Sequence, residues 1–250
     1  MTGTQVRGVV RSTMDLVTWT HVVLDPAPSA RGAVFWAAAL VGEWRSAVPD
    51  PGCDASLVPR DGDAYVHRAG EGRTAPAVLL EVADVEAATR RALGHGAREE
   101  AGRLRSPGGL VLALLVARPR RRAPAARWPD GTTSRLVQLC LDCPPDGAQA
   151  EADVWAGLTG WARQGSDSPE FVGHLVPDTG SVQLLVQRRA SGAPREVTVH
   201  LDLGTSDREA EARRLVDLGA TRVGTGGGWV VLTDPDGRTF CATGQPPEAP

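Results

Sequence analysis

The 250-residue sequence contains no lysine, no asparagine and no isoleucine, and all 27 of its basic residues are arginine. These three residue types have AT-rich codons, so their joint absence points to a GC-rich genome rather than to functional selection. The chemistry is narrowed all the same. Without lysine there is no Schiff-base nucleophile and no phosphate-loop ammonium, and without asparagine there is no N-glycosylation acceptor. Four cysteines, Cys53, Cys140, Cys143 and Cys241, do not make a disulfide scaffold in a chain of this size. Cys140 and Cys143 form a C-x-x-C with no second pair to complete a zinc ribbon, and they read as small side chains packed on a strand. No run approaches the roughly 18 apolar residues of a membrane helix. Residues 1–15 carry Arg7 and Arg11 without a long apolar stretch, so they are expected to be a loose leader rather than a secretory signal. A reducing cytoplasm is the expected location. A net charge of -3, from 27 basic against 30 acidic residues, argues against nucleic acid or an anionic membrane as a partner.

What is present suits a packed core: 42% of residues are hydrophobic and 23% charged. The length fits one large domain or two of about 125 residues. Residues 118–133 divide the chain. Four arginines within five positions, several prolines and a closing Asp-Gly predict a solvated linker there, between domains at 16–117 and 134–245. The same pattern stands on both sides of it. VTWTHVVLD and SARGAVFWAAALVGEW open the first half; RLVQLCLDC and AQAEADVWAGLTGW open the second. His21 and Gln138 each precede an Asp by four residues, and Trp36 and Trp155 each precede a Leu and a Gly. A second pair follows, AVLLEVADVEAATRRALGHGA and TVHLDLGTSDREAEARRLVDLGA, each a strand, an amphipathic helix and a glycine stop. Ser206 and Glu209 have capping-box spacing, and Gly219 suits a helix end. Strand-like runs such as GWVVLTD follow each helix. The chain therefore reads as α+β, with four βαβββ modules in two domains whose helices cover one face of each sheet.

Strand alternation then assigns the other face. In VHLDL, Val199, Leu201 and Leu203 pack beneath the helix while His200 and Asp202 point away; in VQLCLD, Gln138 and Asp142 point away. Polar residues on that second face fit a ligand cup. Of the seven tryptophans, Trp36 and Trp155 read as core, whereas Trp19, Trp44, Trp161 and Trp229 serve equally as core or as walls stacking on a flat ligand. GTGGG at 224–228 precedes a strand rather than a helix, which excludes a phosphate loop. No G-x-S-x-G elbow supports a hydrolase.

HVVLD followed by FWAAALVG, and VHLDL followed by RLVDLGA and WVVLTDPDGRTFC, resemble the vicinal oxygen chelate superfamily of glyoxalases, bleomycin-resistance proteins and extradiol dioxygenases. The resemblance covers about Val17 to Thr243 and is similar in particular to tandem glyoxalase-like domain proteins of actinobacterial type. It implies cupped mixed sheets with helices on the outer face. Its enzymes hold a divalent metal with side chains from the first and last strand of each module. Carried over, those positions are His21, His67, Leu79 and Ala113 in the first half, and Gln138, Gln187, His200 and Cys241 in the second. Cys241 stands where the family places Glu.

Taken half by half, neither set is a convincing metal site. If instead the halves exchange modules, His21, His67, His200 and Cys241 would converge and hold zinc, iron, nickel or manganese. The reading preferred from sequence is a metal-free cup that binds a small organic molecule through Trp19, Gln138, Gln187, His200 and Trp229, for sequestration, resistance or an unassigned transformation. The alternatives are a metal-dependent lyase, isomerase or transferase with that cross-domain site, and a non-catalytic pseudoenzyme. Glu81 and Asp202 occupy matching cup positions and are the candidates for proton transfer. A monomer with internal pseudo-twofold symmetry, or a homodimer, is expected.

Overall fold

The computed structural model describes residues 16–166, 168–178, 180–190 and 195–248; the expected leader at 1–15 lies outside them. The first half forms an eight-stranded mixed sheet. Its chain order is β1 (Val17–Leu24), α1 (Ala30–Ala39), β2 (Gly42–Arg45), β3 (Cys53–Pro59) and β4 (Val66–Ala69). It continues through β5 (Val78–Val82), α2 (Val85–Gly94), β6 (Arg98–Glu100), β7 (Arg103–Arg105) and β8 (Val111–Val116). The short β9 (Ala126–Arg127) leads into β10 (Thr133–Cys143) and the second half. There α3 (Ala148–Thr159), β11 (Ala162–Gln164), β12 (Phe171–Val176) and β13 (Gln183–Arg188) complete one module. The last module is β14 (Thr198–Thr205), α4 (Arg208–Asp217), β15 (Thr221–Thr225), β16 (Trp229–Thr233) and β17 (Thr239–Thr243).

Both sheets have one permutation. The first runs β2-β3-β4-β1-β5-β8-β7-β6, and the second runs β11-β12-β13-β10-β14-β17-β16-β15. In each, the opening strands of two consecutive modules pair antiparallel, β1 with β5 and β10 with β14. Modules therefore join within a half, and each half closes its own sheet. The exchanged arrangement needed for the cross-domain site does not occur.

The helices lie on the face opposite the cups, as alternation requires. Val22, Leu80, Leu139, Leu201 and Leu203 point to that side and join one core cluster fed by both halves. Across the halves, Trp36 of α1 packs edge-on against Phe240 of β17 at 5.2 Å between ring centroids, and its indole N–H donates to Asp234 at 2.8 Å. The second helix of each half starts at an acidic cap, whereas α1 is capped by Ser29. Asp84 caps α2, and Asp207, not Ser206, caps α4 by accepting from the amides of Glu209 and Ala210. Ser206 turns instead toward β10, where its hydroxyl accepts from the Thr133 amide. Gly219 follows α4 at φ 115°, the positive-φ stop its sequence position called for.

The expected solvated linker is docked. Arg120 bonds Glu81 and Asp63, the Arg121 amide donates to Asp63 at 2.6 Å, and the Arg214 guanidinium lies 3.7 Å from the Trp128 ring centre. Residues 118–128 thus form a strap across the molecule. Carboxylates of the first half, Glu81 on β5 and Asp63 in the β3–β4 loop, and an arginine on α4 supply partners that a composition reading cannot see.

Candidate functional site

The second cup is built on three adjacent strands. Register places Gln138 opposite Asp202 and Cys140 opposite His200 between β10 and β14, and Asp202 beside Cys241 between β14 and β17. All five side chains share the face away from the helices and all are buried. At the centre, His200 Nδ1 lies 2.6 Å from Asp142 and Nε2 lies 3.3 Å from Asp202. The Cys241 sulfur is 3.7 Å from the same Nε2. Gln183 donates its amide to the Gln138 carbonyl oxygen at 2.9 Å, and Gln138 donates in turn to Asp202. The Cys140 thiol donates to Gln187 at 3.2 Å. The floor is a connected polar network with fixed orientations.

Electrostatics follow from this geometry. Burial alone would depress the His200 imidazole; the Asp202 and Asp142 carboxylates outweigh it and hold its pKa well above the ordinary value. His200 is therefore protonated at neutral pH. Burial pushes the Cys140 thiol up to about 12 and raises Cys241 as well, so both sulfurs are neutral thiols.

Aromatic side chains wall the cup. Phe171 lies 5.5 Å from Trp229 and 6.0 Å from His174, centroid to centroid. The cavity between these rings and the floor has a volume of about 440 Å³ and is also lined by Leu185, Gln187 and Arg208. A wider cleft of about 780 Å³ shares His200, Gln187, Trp229 and Cys241 with it and extends to Val23, Ala75 and Arg105 of the first half.

The first cup is different. Its face carries a buried chain in which Ser56 Oγ lies 2.7 Å from His67 Nδ1, His67 Nε2 lies 2.8 Å from His21 Nδ1, and His21 Nε2 lies 3.2 Å from Glu81. Burial is the main cause that lowers both histidines, which are neutral. Burial would raise Glu81, but hydrogen bonds from His21 and Arg120 outweigh it and bring its pKa down to about 2. An ionised Glu81 accepts only, so His21 donates from Nε2, His67 donates to His21, and the Ser56 hydroxyl faces His67. Val23, Cys53, Ala69, Ala75 and Leu79 fill the space beside this chain as a small apolar cluster. The strap covers Glu81, which is 1% exposed.

The sequence-predicted residues therefore separate. Gln138, Gln187, His200 and Trp229 meet in the second cup, with Asp202 and Cys241 among them. His21, His67 and Glu81 meet in the first. The convergence of His21, His67, His200 and Cys241 is corrected, because within-half pairing puts the two histidines of the first half on another sheet. Trp19 is corrected too: it is 1% exposed in the core, stacked on Tyr65 at 4.2 Å, and donates to the Ala64 carbonyl. Trp19 lies past the β1 bulge, pairs with Glu81 and keeps the face of His21; the Tyr65 ring stacked on it is what closes it off. Sequence reasoning read Cys140 as strand packing and passed over Phe171 and His174. Alternation from Gln138 would have put Cys140 in the cup.

Cys140, His200 and Asp202 each offer a ligand atom within 4.8 Å of the others. Asp202 Oδ1 is buried, and its charged neighbour in the cup is the His200 imidazole, with Nε2 at 3.3 Å. An imidazole, a carboxylate and a thiol, with a second thiol adjacent, fit a thiophilic divalent ion such as zinc or iron.

Paired βαβββ modules, each pair forming one cupped mixed sheet with helices behind it, define the vicinal oxygen chelate fold, and this chain has it. Residues 138–243 match the glyoxalase-like domain family. No curated protein matches the chain by sequence. Solved structures of the same fold include a variant of 4-hydroxymandelate synthase from Streptomyces coelicolor, at 15% identity and TM-score 0.61, covering 93% of this chain and 94% of that one. A Mn(II)-bound glyoxalase from Novosphingobium aromaticivorans matches at 15% identity and TM-score 0.61, covering 92% and 83%. A xylose isomerase-like TIM barrel/4-hydroxyphenylpyruvate dioxygenase fusion protein matches at 16% identity and TM-score 0.54 over 92% of this chain, which spans about half (49%) of that protein. No helix among the described residues is long and apolar enough to cross a membrane.

Proposed function

We propose that the second cup binds a small organic molecule, with a flat portion against Trp229 and Phe171 and a polar portion on the His200, Asp202, Gln138 and Gln187 floor. The observation that carries this reading is a cavity of about 440 Å³ in which aromatic walls face a preorganised polar network. Binding there sequesters the molecule; His200 and Asp202, a proton donor and acceptor 3.3 Å apart, also supply the groups for moving a proton on it. The first cup, with its polar chain buried beneath the strap, is structural. Quenching of tryptophan fluorescence by 4-nitrophenol tests the site. The wild type should saturate, whereas Trp229→Ala and His200→Ala should each weaken binding by about tenfold or more. Equal binding by wild type and both variants would remove the cup from the function.

A second reading rests on the cluster of Cys140, His200 and Asp202 at the floor of the cup. Cys140, His200 and Asp202 would hold a divalent ion, with Cys241 beside them, and the ion would supply Lewis-acid polarisation of a substrate oxygen. Asp142 would fix the ring so that Nε2 faces the ion. Loading displaces the His200 proton and the thiol proton, so uptake should strengthen as pH rises. Cobalt(II) titration gives a thiolate charge-transfer band if this holds, lost in Cys140→Ser. Purified protein without stoichiometric metal, and without such a band, leaves the organic-ligand reading alone.

A further inference from the structure

His174 of β12 lies in the second cup but outside its floor network. It lines the same cavity as Trp229 and His200, its ring is edge-on to Phe171, and neither ring nitrogen has a hydrogen-bond partner among the described residues. Residues three apart on a regular strand face opposite sides. In β12 a bulge between Phe171 and Gly173 sets Phe171 opposite Gln187 and His174 opposite Leu185, two positions apart on β13, and so turns both rings into the cup. The ladders continue from Leu185 to Cys140 and from Cys140 to His200, so His174 and His200 end one row across four strands. Three strand spacings separate their backbones by about 14 Å. Imidazoles reaching inward from both ends leave room for one substituted ring between them.

The two ends differ in kind. Around His200 the cavity offers mainly donors: the His200 ring, the Arg208 guanidinium, and the Gln187 amide, whose carbonyl oxygen is taken by the Cys140 thiol. The carboxylate there, Asp202, already accepts from Gln138 and faces His200. At His174, burial lowers the pKa below the ordinary 6.5, against the opposing pull of the Asp202 charge. The His174 ring is therefore uncharged at neutral pH and keeps one nitrogen as an acceptor.

On the reading that this cup holds an organic molecule, we propose that His174 accepts a hydrogen bond from a hydroxyl group of that ligand. The second cup then selects hydroxyarenes that carry an acceptor group at the opposite end, where the donors stand. An acceptor stripped of water by the ligand and left unpaired is costly, so a ligand that fills the same space without the hydroxyl is disfavoured.

Calorimetric titration of the full chain at neutral pH with 4-hydroxyacetophenone, beside 4-fluoroacetophenone, tests the proposal. The two ketones have the same ring and carbonyl and nearly the same shape, but only the first has a hydrogen to donate. The wild type should bind the hydroxy compound about tenfold more tightly. His174→Phe keeps an aromatic wall without the acceptor and should bring the two affinities to within about twofold of each other. His174→Gln, which retains an acceptor oxygen, should recover part of the preference. Equal affinity of both ketones for the wild type, or a preference undiminished in His174→Phe, would overturn the assignment of His174 and leave the cup as a ligand site. If neither ketone binds and 4-nitrophenol does not bind either, the cup is not a ligand site and the assignment falls with it.

Discussion

Asp142 and His200 are joined across β10 and β14 by a 2.6 Å contact between Oδ2 and Nδ1. The contact fixes which ring nitrogen faces the cup. Nδ1 is turned to the strand neighbour, so Nε2 points at Asp202 and Cys241, the atoms any occupant meets. A carboxylate behind an imidazole is also the arrangement that raises basicity at the far nitrogen. The second cup thus owes its chemistry to a pair whose two members sit on different modules.

From this pair follows a pH dependence. His200 is held protonated above its ordinary value of 6.5, so its contribution to stability is full below 6.5 and is lost as pH rises through the folded value. Asp142→Asn keeps the shape and removes the charge. The ring resonances of His200 should then titrate at lower pH in NMR. Urea melts at pH 6 should show a loss of roughly 1.5–3 kcal/mol, the range for a hydrogen bond to a charged group. The deficit should shrink at alkaline pH. A variant equally destabilised at both pH values would show that Asp142 acts by packing and not through the proton.

The first cup carries the opposite sign. Glu81 is brought from an ordinary 4.5 down to about 2 by His21 and Arg120, against the effect of its own burial. Its contribution is present above pH 4.5 and is lost as pH falls toward 2. The lowered His21 and His67 act in the same direction just below 6.5, since the unfolded chain takes up their protons first. Glu81→Gln leaves the Arg120 charge without its main partner and should cost on the order of 3 kcal/mol at pH 7. It should also flatten the acid limb of the stability curve while leaving 4-nitrophenol binding unchanged. Loss of that binding would mean the first cup is part of the site.

Much of this was legible in the chain. Alternation in VHLDL put His200 and Asp202 on one face and Leu201 on the other because strand geometry leaves no other choice once the helix side is apolar. The repeat was legible from Trp36 and Trp155, which do the same core work on equivalent helices. Pairing of modules was not, because exchanged and unexchanged partners have the same local pattern; only the β1–β5 and β10–β14 ladders decide it. Trp19 keeps the face that alternation gave it but is covered by Ala64 and Tyr65, 45 residues or more along the chain, which alternation cannot foresee. The strap failed for the same kind of reason: Arg120 finds Glu81 39 residues back and Asp63 57 residues back, contacts without a sequence signature.

The strap offers the last prediction. Gly62 lies against it so closely that a Cβ there would stand 2.4 Å from the Ala123 amide nitrogen and 2.7 Å from its Cα. Those are backbone atoms, which cannot rotate away, so Gly62→Ala must move the strap or the β3–β4 turn. Overpacking of this kind costs about 1–3 kcal/mol. Residues 120–122 are three consecutive arginines, a ready trypsin target once lifted from Asp63 and Glu81. Limited trypsin digestion should therefore cut Gly62→Ala within 120–122 several times faster than the wild type, with both halves recovered as large fragments. Arg120→Gln should produce the same cleavage by removing the ion pairs instead of the fit. If both variants resist trypsin like the parent, the strap is held by Trp128 and β9 alone, and the contacts at Glu81 and Asp63 do not fasten it.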